Sequence, residues 1–93
     1  MLESTVERHL REEAKKRNGL ALKFVSPSMN GVPDRIVLMP DGKMAFVELK
    51  APGKKPRPLQ LKRKRILERL GFPVYVVDNI NQIGGILDEI QST

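Results

Sequence analysis

GVPDRIVLMPDGKMAFVELKAP, Gly31 to Pro52, decides the fold: two apolar runs, Arg35 to Met39 and Lys43 to Lys50, flank Pro40, Asp41 and Gly42. Apolar runs separated by Pro, Asp and Gly read as a hairpin. Proline suits the first central position of a type I turn, and Gly42 can take the left-handed position that completes a three-residue loop with a G1 bulge. In that register Met39 pairs with Lys43 and Asp34 lands opposite Glu48. Side chains alternate across a strand, so Asp34, Ile36, Leu38, Met44, Phe46, Glu48 and Lys50 share one face, and Val37, Met39, Ala45, Val47 and Leu49 the other. Both faces are apolar except at one end of one face. A two-residue loop would shift the register by one and carry Asp34 to the wrong side.

Working outward, STVERHLREEAKKRNG reads as a helix with Val6, Leu10 and Ala14 at helical spacing and Ser4 to Glu7 as a capping box. Asn18 and Gly19 end it. Leu20 to Val25 forms a strand, and SPSMNGVP, with two prolines and a glycine, a loop. Beyond Gly53 a second helix is entered near Pro58, with Leu59, Ile66, Leu67 and Leu70 as its buried stripe, and Gly71, Phe72 and Pro73 stop it. Val74 to Asp78 is a buried strand containing Tyr75 as a core residue. Ile80, Ile83, Leu87 and Ile90 mark a last helix capped by Asp78 or Asn79. Gly84 and Gly85 within it cost about 1 kcal/mol each relative to alanine, which implies a weak helix there or a close neighbour. The order is α-β-β-β-α-β-α. The final strand, helix, strand run requires a crossover, hence an α/β fold with a mixed central sheet flanked by helices.

At 93 residues and 40% hydrophobic, residues 1–93 are expected to form one small domain. No stretch approaches the roughly 18 apolar residues of a membrane span. MLESTVERHL lacks the apolar region of a signal peptide, so a cytoplasmic protein without membrane association is expected. Cysteine is absent and histidine occurs once, at His9 on the solvated side of the first helix. Disulfides and Cys/His zinc sites are thereby excluded, and any metal must be held by oxygen.

The net charge is +6, and nine of the 17 basic residues fall between Lys50 and Arg69 against one acid, Glu68. Such a cluster points to a polyanion lying across it. Phe24, Phe46, Phe72 and Tyr75 are the only aromatic residues. They make no stacking platform for single strands, so recognition of backbone and shape is implied.

Two buried carboxylates facing each other repel unless a proton or cation intervenes. Asp34 and Glu48, supplemented by a backbone carbonyl and waters, suit a hard divalent cation such as Mg²⁺. Lys50 follows on the same face, about 7 Å along the strand. A cation there can orient an attacking water and stabilise charge developing on a phosphate. The set is that of a phosphodiester hydrolysis site.

GVPDR, FVELKAP and the glutamine of PLQ, Gln60, together resemble the VRR-NUC branch of the PD-(D/E)xK nuclease superfamily, over nearly the whole chain from Glu7 to about Asp78. The resemblance implies a restriction-endonuclease-like core. It implies that Asp34 and Glu48 ligate Mg²⁺ or Mn²⁺ with the backbone carbonyl of Leu49, that Lys50 acts on the water and the phosphate, and that Gln60 positions one of them. Glu7 matches a first-helix glutamate that approaches the metal, a role that competes with its capping box. Arg35 stands as a phosphate contact or a neutralising neighbour of Asp34, and Lys54, Lys55, Arg57, Lys62, Arg63 and Lys64 as the DNA-binding set. Members resembling this chain are stand-alone, bacterial or phage enzymes acting as homodimers that cut four-way (Holliday) junctions. The C-terminal helix and the Ser26 to Val32 loop are candidate dimer surfaces. A non-catalytic DNA-binding module is the rival reading, which would not require Asp34, Glu48 and Lys50 together. A restriction-type enzyme would need recognition loops for which the chain has little length.

Overall fold

Met39 pairs with Lys43, and the antiparallel pairing runs back to Arg35 opposite Val47, so the next position brings Asp34 to Glu48. A computed structural model of the chain, describing residues 2–93, shows this hairpin at the centre of the molecule. The turn differs from expectation, because Asp41 (φ 66°) and Gly42 (φ 73°) are both left-handed. Aspartate is among the few residues that tolerate this conformation. The loop still has three residues, so the register is unchanged.

The elements are α1 (Glu3–Lys16), β1 (Leu20–Lys23), β2 (Arg35–Met39), β3 (Lys43–Leu49), α2 (Pro58–Arg69), β4 (Val74–Val77) and α3 (Ile83–Ser92), with short 3₁₀ turns at Pro40–Gly42 and Ile80–Gln82. The sheet order is β1-β2-β3-β4. The first three strands are antiparallel, and β4 lies parallel to β3 because α2 carries the chain back across the sheet. β1 ends at Lys23, two residues before the expected boundary, and Val25 is exposed.

One sheet face is the core. Ala21, Val37, Met39, Ala45, Val47, Leu49 and Val77 pack against Val6, Leu10 and Ala14 of α1 and Ile83, Leu87 and Ile90 of α3. The apolar side of α3 is thus filled from within and does not form a dimer surface. No close neighbour explains its glycines either: a Cβ at Gly85 would meet nothing, and at Gly84 only the Arg17 guanidinium, 3.7 Å away. Asn79 caps the turn before α3, its Oδ1 accepting the Asn81 N–H at 2.9 Å.

The opposite face is covered only in part. Phe46 packs between Phe24 and Phe72 with ring centroids 5.5 and 6.2 Å apart, while Leu20, Leu22 and Leu38 are exposed. The expected buried stripe of α2 is not buried. Leu59 is 42% and Leu70 68% exposed, and Ile66 and Leu67 are only half-covered. Within the sheet α2 packs chiefly on β4, and its basic residues leave no continuous apolar stripe. The expected capping box of α1 is also absent, since the helix starts earlier, with Leu2 as N-cap, which places Ser4 inside it. Among the described residues no helix is long and apolar enough to cross a membrane.

Candidate active site

Asp34 stands one residue before β2 and performs a backbone duty: its Oδ1 accepts the Leu49 N–H at 3.0 Å, where β3 outruns the pairing of β2. Charge-assisted bonds of this kind fix a carboxylate tightly. Arg35 donates from Nη1 to the Asp34 carbonyl at 2.9 Å and lies 3.6 Å from Oδ2. The Lys50 N–H bonds the Val77 carbonyl of β4 at 2.8 Å. The polar groups of successive strand residues point to opposite neighbours, and both groups of one residue point the same way. The Leu49 carbonyl is therefore turned, like its N–H, to the side of Asp34.

Glu48 is the one buried charged side chain among the described residues, 5% exposed. Its Oε2 accepts from Gln60 Nε2 at 2.8 Å and lies 3.3 Å from Lys50 Nζ. Its Oε1 is buried with no hydrogen-bond partner. Burial first, then the nearby Asp34 carboxylate, pushes the Glu48 carboxyl above its ordinary range, against the opposing pull of Lys50. Gln60 occupies the third position of α2, and its Oε1 accepts the Arg57 N–H at 2.8 Å. That backbone donor fixes the amide orientation, so the NH₂ group faces Glu48. One helix-capping contact thereby aims Gln60 at the carboxylate.

Asp34, Glu48, Lys50 and Gln60 thus converge, with Leu49 between. A partnerless carboxylate oxygen, a second carboxylate and a carbonyl make a hard-oxygen donor set, which fits Mg²⁺ or Mn²⁺ in chemistry. Among the described residues Glu7 makes no hydrogen bond or ion pair with any of them. Its carboxylate accepts twice from Arg11 Nη1, at 2.8 and 2.9 Å, in a hollow shared with Glu3, Ser4, Lys23 and Arg35. Among the described residues no three acidic or histidine side chains gather as a metal cluster.

The basic candidates divide. Lys54, Lys55, Arg57 and Lys62 are exposed and lack ion-pair partners among the described residues. Lys64 pairs with Glu68 at 2.9 Å. Arg63 is engaged internally, its Nε donating to the Asn30 carbonyl at 2.7 Å.

That bond belongs to a clamp which the sequence reading missed. Gly31 has φ +80°, and a Cβ there would lie 2.6 Å from Leu59 Cγ. Arg63 and Leu59 together seat the Ser26 to Pro33 loop on α2, directly before Asp34. The glycine of GVPDR was the available signal. Gly31→Ala is expected to destabilise the chain by about 1–3 kcal/mol, through left-handed strain and overpacking. A melting temperature equal to wild type would show that the loop is not clamped there.

No family model matches the sequence. A curated relative described as "Putative nuclease p44", from Acyrthosiphon pisum secondary endosymbiont phage 1, is 52% identical over 77 residues, 83% of each chain. A solved structure described as "VRR_NUC domain" matches with a TM-score of 0.85 and 30% identity, covering 92% of this chain and 94% of that one. The restriction-endonuclease-like order of helices and strands is shared, and the chain belongs to the VRR-NUC family of nucleases.

Proposed function

We propose that the chain is a metal-dependent, structure-selective DNA endonuclease that hydrolyses phosphodiester bonds, acting as a homodimer on four-way junctions. The observation that carries the chemistry is the buried, partnerless Glu48 Oε1 beside Asp34, with Lys50 and Gln60 in reach.

Asp34, Glu48 and the Leu49 carbonyl would hold Mg²⁺ or Mn²⁺. When bound, such a cation lowers the pKa of a coordinated water and neutralises phosphate charge. Lys50 orients the attacking water and stabilises the charge that builds on the phosphate oxygens as the bond from phosphorus to the leaving oxygen breaks. Gln60 holds Glu48 by Oε2 and so keeps Oε1 free. Its second N–H remains available to a water or phosphate oxygen. Lys54, Lys55, Arg57 and Lys62 serve the DNA backbone, with Arg35 beside the site. Glu7, paired with Arg11 in a partly exposed i,i+4 contact, is not needed for this donor set.

Two cuts on opposed strands of a junction call for two sites related by a two-fold axis, which supports the homodimer. Labelled four-way junction, flap and linear duplex, each with magnesium or EDTA, form the test. Junction cleavage that requires magnesium is expected. Cleavage in EDTA would contradict metal dependence, and binding without cleavage would identify a non-catalytic DNA-binding module. Gln60→Ala is expected to lower the cleavage rate about 10–100-fold, the usual cost of losing a residue that orients a ligand. A rate within twofold of wild type would remove Gln60 from the site.

A further inference from the structure

Helices α1 and α2 treat their charges in opposite ways. On α1, Arg8, Arg11 and Lys16 each face a glutamate one turn away, and Arg17 beyond its end pairs with Glu13. This is the ordinary self-neutralised surface helix. On α2, five bases meet a single acid, Glu68, which is taken by Lys64. Lys62, Arg65 and Arg69 follow at helical spacing on one face, are exposed, and have no ion-pair partner among the described residues. They line a shallow hollow with Ile66 and Glu68, continued by a second containing Glu68, Lys43 and Phe72.

The stripe has a direction. α2 begins at the site, where Gln60 reaches Glu48, and ends where Pro73 bonds Phe46 and Gly71 nears Lys43 at the start of β3. At 1.5 Å per residue, Lys62 to Arg69 spans about 10 Å. A DNA strand advances about 3.4 Å per phosphate, so the stripe matches roughly three phosphates. Along the helix axis Arg69 lies about 14 Å beyond Gln60, equal to roughly four base-pair rises, on the side of the helix turned away from Gln60.

We propose that the outer face of α2, formed by Lys62, Arg65 and Arg69 with Lys43 beyond, binds the sugar–phosphate backbone of a duplex arm leading away from the cut phosphodiester. This rests on the reading of the chain as a DNA nuclease and adds how an arm remote from the cut is held. The outer face then measures arm length, while the site performs the cut.

The test is Arg65→Gln with Arg69→Gln; both side chains are exposed and unpartnered, and an unchanged melting temperature verifies the fold. Binding of the double variant to a junction should show a log–log salt slope smaller by about 1.8, from two lost phosphate contacts. Lengthening a hairpin-closed arm from about 2 to about 10 base pairs should tighten binding by wild type more than by the variant, because the shorter arm stops before Arg69 and the variant keeps only Lys62 and Lys43. A wild-type salt slope in the variant would overturn the proposal. So would loss of binding to phosphatidylserine vesicles with DNA binding intact, which would make the stripe a membrane contact. If wild type cuts DNA while the variant keeps its slope, only this proposal fails; if wild type neither binds nor cuts DNA, the nuclease reading falls and takes the proposal with it.

Discussion

Glu48→Gln is expected to abolish DNA cleavage while leaving the metal-free fold as stable as wild type, or more so. The loss should exceed the roughly 10–100-fold cost of removing an outer-shell partner, because Oε1 would be a direct ligand. The stability half follows from the environment. Burial and Asp34 raise the Glu48 carboxyl above its ordinary value in spite of Lys50. A carboxyl raised in the folded state binds more protons there than in the unfolded chain across the window between the two values. Stability therefore falls as pH rises through that window, and at neutral pH the ionised carboxylate costs stability. A neutral amide of the same shape removes that cost and keeps an acceptor for Gln60. If Glu48 is a metal ligand as proposed, the same shift would make metal uptake by the metal-free site compete with a proton at a pH above that of an ordinary carboxyl. Thermal melts at neutral pH check the first half, and a variant melting well below wild type would show Glu48 to be a structural ion pair.

Lys50→Ala is expected to reduce cleavage at saturating DNA and metal by about 10²–10³-fold, the scale of losing one preorganised charge-stabilising group. Metal affinity should be retained, because Asp34, Glu48 and Leu49 remain. Lys50 lies 3.3 Å from Glu48 Oε2, with its side chain only 15% exposed, so its ammonium is held at the site and not spread in solvent. Lys50→Arg should recover little, since the planar guanidinium cannot occupy the position of a compact ammonium. Single-turnover cleavage measures the effect. A variant with the wild-type rate but weaker DNA binding would make Lys50 a phosphate anchor.

The part of the fold legible in the sequence was the part controlled by counting. Three residues between Met39 and Lys43 set the register whatever the turn's dihedrals, which is why the left-handed Asp41 did no harm to the placement of Asp34. The helical spacing of Leu59, Ile66, Leu67 and Leu70 was equally clear but misled. Periodicity defines a stripe, whereas burial depends on what lies beneath it, and α2 packs within the sheet chiefly on β4. At Ser4 a local capping signal lost to a longer helix. In the candidate site, the shared face of Asp34, Glu48 and Lys50 was legible because strand alternation is a local rule, whereas Gln60 was singled out only by the resemblance carried by PLQ. The Leu49 N–H on Asp34 and the Arg63 bond to Asn30 join segments 15 and 33 residues apart, and no local pattern encodes them. The basic run shows Arg63 as a phosphate contact, and nothing local in it reveals that its Nε is held by the Asn30 carbonyl.

Calorimetric titration with Mn²⁺ of wild type, Asp34→Asn, Glu48→Gln and Lys50→Ala tests the central claim most directly, without reliance on a DNA substrate. Saturable binding by wild type and Lys50→Ala, lost in both carboxylate variants, is the predicted result. Wild-type titrations from Asp34→Asn and Glu48→Gln would contradict it and leave the buried carboxylate without its cation.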